Sequence, residues 1–185
     1  MRRMDAAGNT PSDVVLYTDG ACLGNPGPGG WAYILYHPAS GRCAEASGGE
    51  RRTTNNRMEI TAVIRGLEAL RKPCRVRLCT DSQYVARAIA EWMPKWRKHG
   101  WRRSAGAVSQ VKNAELWQRL DELLQKHQVT PMWLRGHSGD PRNERCDEMA
   151  RREAERAAGL EPAAESATDD ANCKPRASQR REDRR

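Results

Sequence analysis

The chain has 185 residues, 38% of them hydrophobic, and carries a formal net charge of +8 from 32 basic and 24 acidic residues. This length suffices for one domain with a buried core and leaves little for a second domain. Neither end has the apolar stretch of a signal peptide, and no window is apolar enough to cross a membrane, so we expect a soluble, cytoplasmic protein. The basic charge suits a polyanionic partner, although mild basicity alone is common among intracellular proteins.

Both ends of the chain have the composition of disordered segments. Residues 156–185 contain seven basic and six acidic residues and almost no large apolar side chains, and the first thirteen residues are similar. Such segments bury too little apolar surface to fold alone. We therefore predict a disordered leader over residues 1–13, a folded domain over residues 14–158 and a disordered charged tail over residues 159–185.

The six cysteines show neither a C-x-x-C spacing nor a cluster with histidines. This pattern argues against a zinc site. We expect all six to be reduced thiols, as is usual in the cytosol.

The first part of the folded region has the periodicity of strands. Three strand-like runs predict an antiparallel meander, and they cover residues 14–18, 31–36 and 42–47. The glycine-rich stretch at residues 24–30 lacks the Gly-Lys-Ser/Thr ending of a phosphate-binding loop and is predicted to be a turn. A helix over residues 55–71 follows, with Thr54 as its N-cap.

A fourth strand is predicted over residues 75–80. The order strand, helix, strand implies a right-handed crossover, with the first and fourth strands parallel. The remaining elements are a helix over residues 81–92, a short helix beginning near Pro94, a helix around residues 116–124, a strand over residues 129–135 and a helix over residues 143–158. This arrangement indicates the α/β class.

Four carboxylates occupy locally unusual positions. Asp19 and Asp81 each close an apolar strand-like run, where one Asp alone would indicate a turn or a helix cap. If the two strands are neighbours, they lie ~4.8 Å apart, and both acids could bind the same divalent metals. Glu59 lies at the edge of the apolar stripe of its helix, and Asp147 lies between Cys146 and an apolar position of the last helix.

These four acids together predict metal-dependent phosphoryl chemistry. The alternative is a structural carboxylate network, but buried acids without partners are costly unless a metal is bound.

Residues 93–103 contain five basic residues, no acids, and Trp96 and Trp101, with Trp92 directly before them. Charges for phosphates and flat rings for sugars or bases are typical of a nucleic-acid groove. The alternative is a solvated helical hairpin whose tryptophans pack on each other.

His137 lies in a Gly/Ser loop between the last strand and the last helix, ten residues before Asp147. A loop at the ends of the strands would overhang the acids. We therefore interpret His137 as a candidate for proton transfer.

Five motifs stand in one order along the folded region, and they read TDGACLGNPGPGGWA, TTNNRMEITA, TDSQYV, KNAELW and GHSGDPRNERCDEMA. Together they resemble the type 1 ribonuclease H family in its bacterial form, with all four acids present. The resemblance implies a ribonuclease H-like α/β fold, a five-stranded mixed sheet with its first three strands antiparallel and helices at its flanks. It also implies a monomeric endonuclease that hydrolyses the RNA strand of RNA–DNA hybrids and leaves 5′-phosphate and 3′-hydroxyl ends.

The resemblance also implies roles for single residues. Asp19 would bridge two Mg²⁺ ions, with Mn²⁺ as a substitute; Glu59 and Asp81 would complete one site and Asp147 the other. His137 would assist proton transfer or product release. The implied contacts to the RNA strand are Cys22, Asn25, Asn55 and Gln83. The implied pocket for a DNA phosphate consists of Arg52, Thr54 and Asn113. A basic protrusion at about residues 92–112, with Trp92, Trp96 and Trp101, would strengthen hybrid binding.

Two other functions remain open. A nuclease of the same fold could act on other substrates, because resolvases and transposases have related acid clusters; the Trp/basic segment and the phosphate pocket favour a hybrid instead. A non-catalytic hybrid-binding module is the other alternative, and the presence of all four acids argues against it.

Overall fold

The structure is a computed structural model that describes residues 13–135 and 139–160. Its five strands are β1 (Val14–Cys22), β2 (Gly27–His37), β3 (Arg42–Thr53), β4 (Arg75–Thr80) and β5 (Gln128–Trp133). They form one sheet in the order β3-β2-β1-β4-β5. β1 is antiparallel to β2 and parallel to β4, which confirms the predicted mixed sheet and its crossover.

The helices are α1 (Asn55–Glu68), α2 (Gln83–Arg87), α3 (Met93–Lys98), α4 (Ala114–Lys126) and α5 (Pro141–Ala157). A π-helical turn, Ala88–Trp92, joins α2 to α3. α1 begins where predicted, because the Thr54 hydroxyl accepts a hydrogen bond from the backbone N–H of Arg57. No helix within the described part of the chain is both long and apolar enough to cross a membrane.

The sheet has a hydrophobic core on each face. Val14 and Leu16 of β1 belong to the core that includes α1 and α4, and Trp117 is fully buried there. Val15 and Tyr17 belong to the core that α5 covers. Successive side chains of a strand point to opposite faces, so β1 contributes to both cores in alternation.

Two glycines lie in the parts of β1 and β2 that extend beyond the predicted strands. β1 continues to Cys22, and the stretch at residues 27–30 is strand, so the predicted turn is wrong there. A Cβ on Gly20 would lie 2.3 Å from the backbone nitrogen of Glu59, and one on Gly30 would lie 2.1 Å from the carbonyl oxygen of Ala150. These glycines therefore allow helices to pack directly on the strands, a role that a turn pattern does not reveal.

The prediction of six reduced thiols is wrong for Cys43, which is disulfide-bonded. Cys43 lies on the outermost strand β3 and is partly buried. Cys79 and Cys146 are free and buried in the core.

Candidate active site

The sheet register places two of the four acids side by side. Thr18 of β1 pairs with Thr80 of β4 in the parallel ladder. The next residues are Asp19 and Asp81, so both carboxylates arise at the same end of adjacent strands. Asp19 lies within β1, because that strand continues past it, whereas Asp81 directly follows β4.

Strand alternation directs Asp19 toward α5. Val15 and Tyr17 pack in the same core as Cys146 of α5, and Asp19 continues their face of the strand. The Asp19 charge contributes to raising the pKa of the buried Cys146 thiol, after burial itself, which confirms that α5 passes close to Asp19. Asp147 follows Cys146 on α5 and is thereby brought to the same end of the sheet.

Glu59 reaches the site from the opposite face of the sheet. It lies on α1, whose backbone at Met58 and Glu59 passes so close to Gly20 that no Cβ fits between them. Because Gly20 directly follows Asp19, this close approach places Glu59 beside the strand that carries the central carboxylate.

Asp19 is the only fully buried residue of the four acids, at 9% exposed. Its pKa is raised from the ordinary 3.8 to about 8, and burial is the largest cause. The charges of Asp81, Asp147 and Glu59 add to this increase in pKa, while a 2.6 Å hydrogen bond from the Gly20 N–H opposes it. The described structure therefore brings all four predicted acids together.

The pKa of Glu59 is also raised, to about 7, and burial is the largest cause. The nearby Asp81 charge raises this pKa further, whereas two hydrogen bonds lower it. The Ser82 hydroxyl donates to Oε2 at 2.5 Å, and the Asn55 side-chain amide donates to Oε1 at 2.8 Å. Both carboxylate oxygens of Glu59 are thus held by protein groups.

The donor set suits a hard divalent cation. It consists of carboxylates whose mutual repulsion a cation would relieve, and oxygen ligands are those that Mg²⁺ and Mn²⁺ prefer. Within residues 13–135 and 139–160, no three His, Cys, Asp or Glu side chains stand in an arrangement that could hold a metal ion as they are. Metal binding would therefore require the carboxylates to move closer together around the ion.

Three of the four predicted RNA-strand contacts make hydrogen bonds at the junction of β3 and α1. The Cys22 thiol at the end of β1 donates to the carbonyl oxygen of Thr53 at 3.7 Å. Asn25, in the β1–β2 connection, accepts from the backbone N–H of Asn55 at 3.3 Å through its side-chain oxygen. The fourth, Gln83, is the exposed first residue of α2.

Arg57 connects two residues of the predicted DNA-phosphate pocket, a contact that was not predicted from the sequence. Thr54 and Asn113 are connected by Arg57, whose N–H donates to the Thr54 hydroxyl and whose guanidinium donates to the Asn113 side-chain oxygen, both at 3.4 Å. Arg57 also forms an ion pair with Glu115. Arg52 lies exposed near the end of β3.

The tryptophans of the basic segment pack on each other and on the core. The ring centroids of Trp92 and Trp96 are 5.7 Å apart, and those of Trp96 and Trp117 are also 5.7 Å apart. Trp101, with φ of 62°, packs partly buried against the same core. The tryptophans therefore pack on each other, as in the predicted alternative of a helical hairpin, and this packing anchors the segment to the core.

This packing leaves a cavity of about 460 Å³ beside the rings. Its lining residues are Asn56, Tyr84, Trp92, Trp96, Arg103, Val111 and Lys112. Aromatic faces together with an Arg and a Lys can hold a sugar–phosphate backbone. The substrate role of the tryptophans stays a prediction alongside their structural one.

Two further contacts at the site depend on the tertiary fold. Ser82, adjacent to Asp81, holds Glu59 as described, and the indole N–H of Trp133 donates to the Asp81 carbonyl oxygen at 3.0 Å. Ser82 lies in the TDSQYV motif, but the motif does not reveal its contact to Glu59, and Trp133 lies in none of the five motifs. His137, predicted to act in proton transfer, lies outside the described residues.

Comparisons with known proteins agree with this geometry. The RNase H family model matches residues 11–155. Ribonuclease H of Pseudomonas paraeruginosa is 55% identical over 139 residues, which cover 75% of this chain and 91% of that protein. Ribonuclease H of Polaromonas naphthalenivorans is 56% identical over 151 residues, 80% of this chain and 91% of that protein.

Solved structures show the same fold. LC9-RNase H1, a type 1 RNase H with the type 2 active-site motif, has a TM-score of 0.66 and 32% identity, covering 82% of this chain and 74% of that one. LC11-RNase H1 in complex with an RNA/DNA hybrid has a TM-score of 0.57 and 22% identity, covering 78% and 98%. With the family model spanning most of the folded region, the chain belongs to the ribonuclease H family.

Proposed function

We propose that this protein hydrolyses the RNA strand of RNA–DNA hybrids as a divalent-metal-dependent endonuclease, leaving 5′-phosphate and 3′-hydroxyl ends. The observation that carries the proposal is the raised pKa of Asp19, about 8, in a buried site shared with three other acids. Such a cluster is unfavourable without a cation, and perturbed carboxylates of this kind mark functional sites.

The four acids would hold the metal. Asp19, the most buried and the most strongly coupled, would be the shared ligand, with Glu59 and Asp81 on one side and Asp147 on the other. Two bound Mg²⁺ ions, or Mn²⁺ in their place, would supply an activated water and stabilise the leaving 3′ oxygen. His137 would move a proton near these groups.

Hybrid selectivity would come from two sets of residues, which adjoin at Thr54 and Asn55. Cys22, Asn25, Asn55 and Gln83 would contact the RNA strand and its 2′-hydroxyls. Thr54 and Asn113, connected by Arg57 and joined by Arg52, would bind a phosphate of the DNA strand. The Trp/basic segment would add affinity through its charges and rings.

The test is cleavage of an end-labelled hybrid in Mg²⁺, beside EDTA, duplex RNA and duplex DNA. We expect metal-dependent cuts in the RNA of the hybrid only, ending in 3′-hydroxyl. Tight hybrid binding without cutting in Mg²⁺ or Mn²⁺ would favour the non-catalytic module. Cutting of duplex or branched DNA would retain the metal site and reject the substrate.

Monomeric action in the cytoplasm is part of the proposal. Sedimentation equilibrium of the protein alone tests the first point, since a monomer has the mass of one chain, 20.8 kDa.

A further inference from the structure

Ser82 occupies a position from which one hydroxyl makes two contacts. It is 6% exposed and follows Asp81 directly. Its oxygen accepts a hydrogen bond from the backbone N–H of Val85 at 3.2 Å and so caps α2. Its hydrogen is donated to Oε2 of Glu59, on a different helix.

The Ser82–Glu59 hydrogen bond connects parts of the fold that are far apart in sequence. Glu59 lies on α1, while Ser82 lies at the turn that leads from β4 into α2. The backbone N–H of Ser82 donates in turn to the Thr80 hydroxyl of β4 at 3.2 Å, which fixes the turn itself. The hydroxyl is therefore immobilised by the strand and by the helix it caps.

Glutamate has three rotatable side-chain bonds, so its carboxylate needs partners to keep one orientation. In this structure Asn55 fixes one oxygen and Ser82 the other. Asn55 lies one helical turn before Glu59 on the same helix and cannot by itself fix the carboxylate relative to Asp81. The Ser82 contact supplies that link, because Ser82 and Asp81 are neighbours in the chain.

We propose that Ser82 is a positioning residue, whose hydroxyl holds the Glu59 carboxylate in register with Asp81 so that the two acids can bind the same metal ion. The inference rests on the proposed function, since it assigns Glu59 and Asp81 to a shared metal site. Partners of this kind, which orient a metal ligand without touching the metal, typically contribute about 10- to 100-fold to metal affinity or activity.

Three variants separate this role from helix capping. Ser82→Ala removes both contacts, and Ser82→Thr keeps a hydroxyl. Ala86→Gly is the matched control: it weakens α2 at a buried position and leaves the Ser82 hydroxyl and Glu59 in place. Each variant is assayed for hybrid cleavage and, without nucleic acid, for Mg²⁺ binding by titration calorimetry, with thermal unfolding as the check on folding.

For Ser82→Ala we expect kcat to fall and the Mg²⁺ dissociation constant to rise, each by about tenfold, with KM for the hybrid changed by less than about twofold. Ser82→Thr should restore most of both losses, and Ala86→Gly should show neither. In a Glu59→Gln background, Ser82→Ala should produce no further change in Mg²⁺ affinity, because its partner is already altered.

Equal losses in Ser82→Ala and Ala86→Gly would overturn the inference and leave only a cap. Unchanged kcat and Mg²⁺ affinity in Ser82→Ala, with a wild-type protein that cleaves hybrid, would overturn the inference and leave the proposed function intact. A wild-type protein that neither binds Mg²⁺ nor cleaves hybrid would overturn both.

Discussion

The four acids arise from the centre of the sheet and from the two helices packed on its faces, whereas residues 92–112 contain the short helix α3 and an irregular loop. At the acids, Gly20 permits no added atom between β1 and α1. In the loop, a Cβ on Gly106 would meet nothing within 4 Å. The two regions also differ in charge, because one gathers carboxylates and the other carries basic residues.

This comparison suggests that the two regions serve different functions, the acids in turnover and the Trp/basic segment in binding. The acids require positions fixed by strand register and close helix packing, because metal chemistry depends on small displacements. Under the proposed function, the Trp/basic segment would need only to be held near the substrate. Ring packing on Trp117 and the ion pair of Arg97 with the buried Asp121 provide that anchoring. Changes in the first region should therefore affect turnover, and changes in the second should affect binding.

The largest expected effect is that of Asp19→Asn. Loss of the shared carboxylate should lower kcat by about 1,000-fold or more, while hybrid affinity measured in the absence of cleavage stays within a few-fold of wild type. Glu122→Gln, an exposed acid on α4, serves as the control and should cleave normally. Near-normal cleavage by Asp19→Asn would remove the basis for the metal assignment.

Gly20→Ala should follow in size. The added methyl would overlap the α1 backbone at Glu59, so we expect a loss of about 3 kcal/mol in the free energy of unfolding, together with strongly reduced kcat. Gly106→Ala, in the open loop, should change stability by less than about 0.5 kcal/mol. Denaturant unfolding of both variants measures the two changes in the free energy of unfolding. Equal changes would show that Gly20 is packed no more closely than Gly106.

The pH dependence of the free energy of unfolding tests the raised pKa values at the acids. Between about pH 4 and pH 8, folded metal-free protein keeps a proton on Asp19 that the unfolded chain has released. The free energy of unfolding should therefore fall as pH rises through this range, by at most about 1.4 kcal/mol per pH unit for this one group. Glu59 acts in the same direction up to about pH 7.

Thermal unfolding at several pH values in EDTA measures this dependence. Asp19→Asn should flatten the curve, and added Mg²⁺ should raise stability most at the alkaline end, where the carboxylates are charged. A stability that rises from pH 5 to pH 8 in EDTA would contradict the raised pKa of Asp19.

The smallest effect is expected in the Trp/basic segment. Lys98→Gln should raise KM for the hybrid a few-fold, leave kcat unchanged and reduce the salt slope of binding by about one charge. Lys72→Gln, an exposed lysine before β4, is the matched control and should change neither. A fall in kcat for Lys98→Gln without a change in KM would contradict the division between the two regions.

Much of the fold was predictable because its signals are local. β4 was located to the residue, and α1 was found from its cap and apolar stripe. The extension of β1 and β2 was not predictable, since residues 27–30 read as a turn when the helix that packs against Gly30 is unknown. Likewise, α2 gives way to a π-helical turn at Ala88, within one predicted helix.

The acids were predictable because two of them share one arrangement at the ends of adjacent strands. Ser82, Arg57 and Trp133 were not, since each acts through a contact to an element distant in the chain. The tryptophans of the basic segment were predictable only in part. The composition of the segment indicated a nucleic-acid surface, and the structure adds that Trp96 packs on Trp117.

The π-helical turn determines the directions in which the side chains of α3, directly after it, point. The Met93 N–H donates to the carbonyl oxygen of Ala88, five residues earlier, so this turn contains one residue more than an α-helical turn. Deleting the exposed Ala90 would restore α-helical winding and rotate the downstream side chains by about 100°. Trp96 would then leave Trp117, and the lysines of α3 would turn to another side of the molecule. The direction in which this helix presents its charge is thus determined by a single inserted residue.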